Sequence, residues 1–283
     1  VSALAFSRLR GAFRVGPDFF ARAGALASAD APAPRGVVDA LDDLSNPGLD
    51  VARVHPAIVP FFVDTAGLDL AIRSRWAFPF SLLWPLARPL LALVGQFVLP
   101  RRDARITTRA LALDPAVDGR PGARGIVREY AGSGAVMQVV AYATHRRGAT
   151  RYMHATFPLV LGHVAGLLRL DPIGADADGR LAVALTSARR DGDDAGVWYV
   201  TRLFAVRIPF GETLRFWAPG MPGAPADLDA AAVAGATLVA RHEQRLCGAL
   251  IVAHDYGFRP VRGEGEGEGE GEGEGEGEGE GEG

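Results

Sequence analysis

Lysine does not occur in this chain of 283 residues; all 30 basic side chains are arginine. Without lysine there is no Gly-x-x-x-x-Gly-Lys phosphate loop, which removes the common nucleotide-dependent transferases. Cysteine occurs once, at Cys247, so no intrachain disulfide and no paired-cysteine metal motif can form. The six histidines include no His-Glu-x-x-His motif and no i,i+4 pair, and no metal is expected. A Gly-x-Ser-x-Gly nucleophile elbow is missing as well. Gly132-Ser133-Gly134 lacks the third glycine of a dinucleotide fingerprint and leads into a strand-like run, so no cofactor is expected. The N-terminus carries Arg8, Arg10 and Arg14 but no apolar run with a small-residue cleavage site, so no secretory leader is expected. With a lone thiol, this points to the cytoplasm, at the membrane periphery in an alternative reading.

The formal charge of −3 conceals an uneven distribution. Residues Gly263–Gly283 alternate Gly and Glu and hold 10 glutamates; residues 1–262 then carry 30 basic and 23 acidic side chains, formally +7. The tail reads as a solvated acidic extension that cannot build a core. Arginine in place of lysine, with abundant Ala, Gly, Pro and Asp, matches a GC-rich coding sequence. Clusters such as Arg101-Arg102, Arg146-Arg147 and Arg189-Arg190 sit at segment ends with no RNA- or DNA-binding motif, so nucleic acid is not an expected partner.

Three regions follow. Residues 1–36 are an N-terminal extension, with a short helix expected around Phe6, Leu9, Phe13, Phe19 and Phe20 and a Pro/Ala-rich linker over Ser28–Gly36. Residues 37–262 form one domain, and 263–283 the tail. Within the domain, Pro56 to about Thr65 reads as an irregular helix. Leu68–Trp76 is the clearest strand: Leu68, Leu70, Ile72, Ser74 and Trp76 share one face, and Asp69, Ala71, Arg73 and Arg75 the other. From Trp76 to Pro100 only Arg88 is charged. Pro79, Pro85 and Pro89 argue against a membrane span and for a broken apolar helix on a sheet, or for a lid or membrane-surface element.

Further strands are expected at 105–113, 124–131, 135–145, 150–158, 163–170, 180–190, 196–208, 212–218, 236–246 and 249–257. Their separators are rich in Gly, Asp and Pro and mostly too short for parallel crossovers. Asp227 is expected to cap a short Ala-rich helix that stops at Gly235. The fold class is α+β: a curved, mostly antiparallel sheet of about ten strands, barrel-like or helix-grip, covered by two or three helices.

The order His55-Pro56, Phe78 to Leu99-Pro100, then strands through Trp198, Phe210, His242 and Gly248 resembles uncharacterised bacterial, especially actinobacterial, domains of unknown function. The resemblance covers about residues 50–258. It implies an architecture and no activity.

Candidate site residues are polar groups within apolar strand faces. Trp198, Val200, Arg202, Phe204, Val206 and Ile208 share one expected face, where Arg202 would need a carboxylate or an anionic ligand. Glu129, alternating with Val127 and Ala131, is the expected partner of Arg202. In the last hairpin, a two-residue turn at Cys247-Gly248 sets His242 opposite Ala253 and separates it from His254; a one-residue bulge would bring the histidines together. Tyr256 shares a face with His254. These residues frame a cavity for a lipid-like or aromatic molecule, anchored by Arg202, His242, His254, Tyr256, Glu129 and Trp198. The alternatives are an isomerase- or dehydratase-type enzyme using a histidine with Glu129 or Asp255, and a membrane-peripheral protein whose contact surface is Trp76–Leu99.

Overall fold

The computed structural model describes residues 6–11, 14–100 and 104–261. The Gly-Glu tail, Phe13 and Arg101-Arg102 lie outside the described residues. Twelve strands form one antiparallel sheet: β1 Leu68–Trp76, β2 Ala104–Ala112, β3 Arg124–Tyr130, β4 Val136–Arg147, β5 Thr150–Leu159, β6 Gly162–Ala175, β7 Leu181–Thr186, β8 Gly196–Val200, β9 Ala205–Arg207, β10 Phe210–Trp217, β11 Leu238–Leu246 and β12 Ala249–Pro260. The spatial order is β5-β4-β3-β2-β1-β12-β11-β10-β7-β6-β8-β9, and pairing of β5 with β6 closes ten of the strands into a barrel. β6 is long enough to pair with β7 through its C-terminal half and with β8 through its N-terminal half. The β8–β9 pair thus extends the wall beside β6.

The expected strand over 196–208 is two strands. Thr201 Oγ1 accepts from the backbone N–H groups of Leu203 (3.2 Å) and Phe204 (3.1 Å), and Thr201 N–H donates to Phe204 C=O, which folds the chain into a tight turn. Arg202 therefore sits exposed in the turn, away from any buried face.

Register fixes the two barrel ends. β1 runs towards Trp76, and the β3–β4, β5–β6, β8–β9 and β11–β12 turns lie at that same end. The opposite end is plugged by residues 37–65, which contain two 3-10 turns (Leu41–Leu44 and Val51–Arg53) and the short helix α2, Val59–Val63. The plug is tied to strand ends by His55 N–H to Leu181 C=O (3.0 Å) and Arg151 N–H to Ser45 C=O (2.9 Å). Phe61 and Phe62 enter the barrel, with Phe61 4.4 Å from Phe216 and 5.3 Å from Phe258 between ring centroids. Eight strands already enclose an interior about as wide as side chains can fill. A tenfold wall needs an insert, and α2 supplies it for one half only.

Among the described N-terminal residues the expected short helix around Phe6 to Phe20 is confined to one turn, α1 at Phe19–Arg22, after Gly11, Gly16 and Pro17; residues 6–11 and 14–18 form a strap outside any helix. Leu9, Val15, Phe19 and Phe20 bury themselves against the outer face of β3 and β4, on Val127, Val139 and Ala141. Gly125 allows this contact, because a Cβ there would lie 2.5 Å from Phe20 Cε2. The strap makes β3 and β4 apolar on both faces.

Segment 78–99 is a helix unbroken by its prolines, α3 at Phe80–Val94, ended by Gly95 in the left-handed conformation (φ 70°). It lies across the end opposite the plug. Two further short helices are α4, Pro115–Asp118, and α5, Ala230–Val233. Asp229, not Asp227, caps α5, accepting from the N–H groups of Ala231 and Ala232; Asp227 instead binds Arg241. No helix among the described residues is long and apolar enough to cross a membrane.

Candidate functional site

The half of the barrel above α2 is not filled. A cavity of about 70 Å³ lies above Phe61 and Phe258. It shares Phe97, Leu99, Phe157, Glu212 and Gln244 with a second cavity of about 260 Å³ under α3, which Trp76, Trp84, Leu91 and Phe210 also line. Trp84 is the buried residue of α3 and stacks on Trp76 at 4.1 Å between ring centroids. Together the two spaces reach the lower end of the range for small-molecule sites, about 300–1,000 Å³.

Inward-facing positions of five strands place a polar girdle around the lower cavity: Arg128 from β3, Gln138 and Tyr142 from β4, Glu212 from β10, His242 and Gln244 from β11, and His254 and Tyr256 from β12. The histidines come together because the β11–β12 ladder is bulged. Gln244 pairs with Val252 while Arg245 pairs with Leu250, so Ile251 is the extra residue and His242 stands opposite His254, with ring centroids 5.8 Å apart. The regular register expected from the Cys247-Gly248 turn holds only for Leu246–Ala249 and Arg245–Leu250. Ile251 C=O accepts from Ala77 N–H (2.9 Å), so the bulge forms where β1 leaves for α3.

His242 Nε2 lies 3.2 Å from Glu212 Oε2. A Cβ at position 166 would lie 2.3 Å from Glu212 Oε1, so Gly166 on β6 makes room for this carboxylate. His254 Nδ1 is 2.8 Å from Ser74 Oγ, and its Nε2 is buried without a partner. Burial, then the nearby His242, pushes the His254 imidazole down to about 3, so the ring is neutral. Burial raises the phenols of Tyr142 and Tyr256, with Arg128 acting the other way on both. Both tyrosines stay protonated and can donate.

Arg128 is the least expected member. It is 7% exposed, it lines the cavity, its Nε is buried without a partner, and its side chain makes no ion pair or hydrogen bond among the described residues. The carboxylate next to it in sequence, Glu129, points to the outer face and binds Arg109 at 2.9 Å. The expected Glu129–Arg202 pair is therefore not formed: Glu129 binds Arg109, and Arg202 lies exposed in the β8–β9 turn. Trp198 also faces away from the cavity: it packs beside Phe6 at 5.8 Å, while its neighbour Val197 lines the upper space. Of the six expected anchors, the structure brings His242, His254 and Tyr256 to the cavity and leaves Arg202, Glu129 and Trp198 outside it.

The donor–acceptor balance of the lining is uneven. Every buried side-chain polar atom without a partner among the described residues is a nitrogen; Arg128, His254, Trp76 and Trp84 contribute four of them to the cavity walls. Where Ser74 donates to Nδ1, the neutral His254 carries its proton on Nε2, so that nitrogen is an unmatched donor. The unpartnered buried atoms of the lining are thus all nitrogens, beside the acceptor oxygens of Glu212, Gln138 and Gln244.

No protein-family model, curated protein sequence or solved structure matches this chain. Chemistry must therefore be argued from the residues themselves. Among the described residues no group of three His, Cys, Asp or Glu side chains could hold a metal ion. Asp255, the other expected acid–base partner, is fully buried on the outer face, bound by Arg241 (2.8 Å) and Arg75 (3.2 Å), and does not line the cavity.

The missed residues carried a readable signal in part. Glu212 alternates with Phe210, Leu214 and Phe216, a carboxylate within an apolar period-2 face. Arg128 alternates with Ile126 in the same way, but Val127 and Val139 are apolar too, because the strap covers them. Parity on β3 cannot be assigned when both faces are dry.

Proposed function

We propose that the protein binds an amphipathic acid, a mainly apolar molecule bearing a carboxylate or similar anionic head, inside the barrel. One observation carries the reading: a buried, cavity-facing arginine whose side chain has no ion pair or hydrogen bond among the described residues, while Glu212, the carboxylate of the same lining, is engaged by His242. An unpaired buried cation is costly, and an anionic ligand head would supply the missing partner through charge-assisted hydrogen bonds. Tyr142, Tyr256 and His254 provide further donors near it. The apolar remainder fits the upper cavity against Trp76, Trp84, Leu91 and Phe157.

The test is displacement of a fluorescent long-chain fatty acid from delipidated protein, comparing each competitor acid with its methyl ester. The acid should bind at least about tenfold more tightly, the value of one charged hydrogen bond of roughly 1.5–3 kcal/mol. Arg128→Met should erase the difference. Equal affinities of wild-type protein for acid and ester would rule out Arg128 as the anchor.

A second reading, proton transfer on a bound substrate, is favoured by the Glu212–His242 pair, which couples a carboxylate to an imidazole at the wall of the same cavity. It predicts solvent-deuterium incorporation into a bound unsaturated or carbonyl-bearing acid, lost in His242→Gln.

A further inference from the structure

The end of the barrel over the cavity carries a surface unlike the rest of the molecule. Five leucines of α3 face solvent: Leu82, Leu83, Leu86, Leu90 and Leu93, each 54–73% exposed. Their spacing of three and four residues draws a stripe along the helix, opposite the Trp84 side that covers the cavity. Two turns continue the apolar character: Leu161, in the β5–β6 turn, is 79% exposed, and Leu203, in the β8–β9 turn, is 92% exposed.

These elements are stitched together at one end. Gly11 N–H reaches Gly162 C=O beside the β5–β6 turn (3.5 Å), and Val15 N–H donates to Val94 C=O at the end of α3 (2.7 Å). Arg10 reaches Thr201 C=O in the β8–β9 turn (3.4 Å). The strap thus links all three apolar tips.

The charge of the same segments has one sign. Residues 6–11, 14–16, 76–100, 157–163 and 201–208 contain Arg8, Arg10, Arg14, Arg88, Arg202 and Arg207 and no aspartate or glutamate. Arg14 and Arg202 are exposed beside the apolar tips: Arg14 Cγ lies 3.8 Å from a Cβ placed on Gly95, and Arg202 adjoins Leu203. An exposed leucine stripe about 16 Å long, with apolar loop tips and arginines, and with the nearby Asp18 neutralised by Arg22 at 2.8 Å, matches an anionic bilayer in both hydrophobicity and charge.

We infer that this end of the barrel docks on the surface of an anionic lipid membrane, with α3 lying in the interface and the cavity mouth beneath it. The inference does not depend on what the cavity holds. A partner protein or a second copy would more often present a mixed surface with both signs of charge.

Co-sedimentation of the full chain with vesicles of phosphatidylcholine, alone or mixed with phosphatidylglycerol, tests it. Binding should require phosphatidylglycerol and fall with added salt. Leu86→Asp with Leu90→Asp should lower the partition coefficient at least about tenfold, and Arg14→Ala with Arg202→Ala should lower it roughly fivefold per arginine. All four positions are exposed, and unchanged circular dichroism would show that the variants fold. Absence of sedimentation with both vesicle types overturns the inference. So does binding that ignores both pairs of substitutions, or a solution dimer that the aspartates dissociate without any vesicle binding. Acid displacement is measured without vesicles, so failure of docking and failure of acid binding are separate results.

Discussion

Replacing Arg128 by methionine should stabilise the empty protein while removing its ability to be stabilised by an acid. Arg128 is buried on β3, faces the cavity, and has no counter-ion among the described residues. Its side chain therefore contributes desolvation cost with little Coulombic return. Substitution of buried ionic groups by apolar ones of similar volume is commonly neutral or favourable by about 1–4 kcal/mol. Methionine keeps most of the aliphatic length, so the cavity left behind is small. A gain of about 1–3 kcal/mol corresponds to a melting temperature higher by roughly 2–4 °C per kcal/mol for a domain of this size. Addition of a long-chain acid at about a hundred times its dissociation constant should stabilise wild type by about 2.7 kcal/mol and the variant by much less. The order of stability thus inverts between the empty and the loaded protein. Thermal and urea denaturation, with and without acid, measure all four states. If empty Arg128→Met is less stable than empty wild type, the guanidinium has a structural partner and the argument for an anionic ligand collapses.

Three other outcomes follow from the same geometry. His254, His163 and His154 have imidazoles held below the usual range, at about 3, about 4 and well below 6.5, first by burial in each case. The unfolded chain binds protons near pH 6.5 that the folded one refuses, so stability is full above that pH and is lost as pH falls towards 4. His254→Asn should flatten the denaturation midpoint across this window, and an unchanged slope would show that His254 is not the group responsible. Gly166→Ala should push Glu212 off His242 at a cost of about 1–3 kcal/mol, and the cost should vanish in a Glu212→Ala background when the pair is run as a double-mutant cycle; additive effects would refute the contact. Asp255→Ala leaves buried Arg241 without its 2.8 Å partner, which should cost about 3–5 kcal/mol in urea denaturation, and a loss below about 1 kcal/mol would mean that Asp227 alone satisfies Arg241.

The fold was legible where local chemistry is decisive. Alternation in Leu68–Trp76 and Gly/Asp-rich separators locate ten of the twelve strands within about five residues, because one wet and one dry face impose period two. The split of 196–208 escaped because Val, Phe, Ala and Val around the turn keep strand-like composition, while one threonine hydroxyl turns the chain. The continuity of α3 escaped for another reason. Pro85 and Pro89 argue for a break in isolation, yet stacking of Trp84 on Trp76 and the bond from Val15 to Val94 hold the helix in place from outside it. Closure of the barrel through β5 and β6 is a long-range property that no single window of sequence carries.

The site follows the same division. His242, His254 and Tyr256 were readable as polar groups on dry faces, but their meeting depends on Ile251 bulging out of the ladder, and both registers place apolar residues inside. Arg202 and Arg128 show how the same reasoning can reach the right need through the wrong residue. The sequence points to a buried arginine at Arg202, which lies in a turn, whereas β3 buries Arg128 instead. The strand that does bury an arginine was disguised, since the N-terminal strap dries its outer face and makes Val127 look as inward as Ile126. A covering segment of this kind is what lets Glu129 and Arg128 exchange apparent roles: Glu129 ends on the outer face with Arg109, and the guanidinium beside it is left facing the cavity without a side-chain bond among the described residues. Water or a ligand that accepts hydrogen bonds would pair the unmatched nitrogens of that interior. The apolar walls around Trp84, Leu91 and Phe157 favour a ligand that brings its own oily chain.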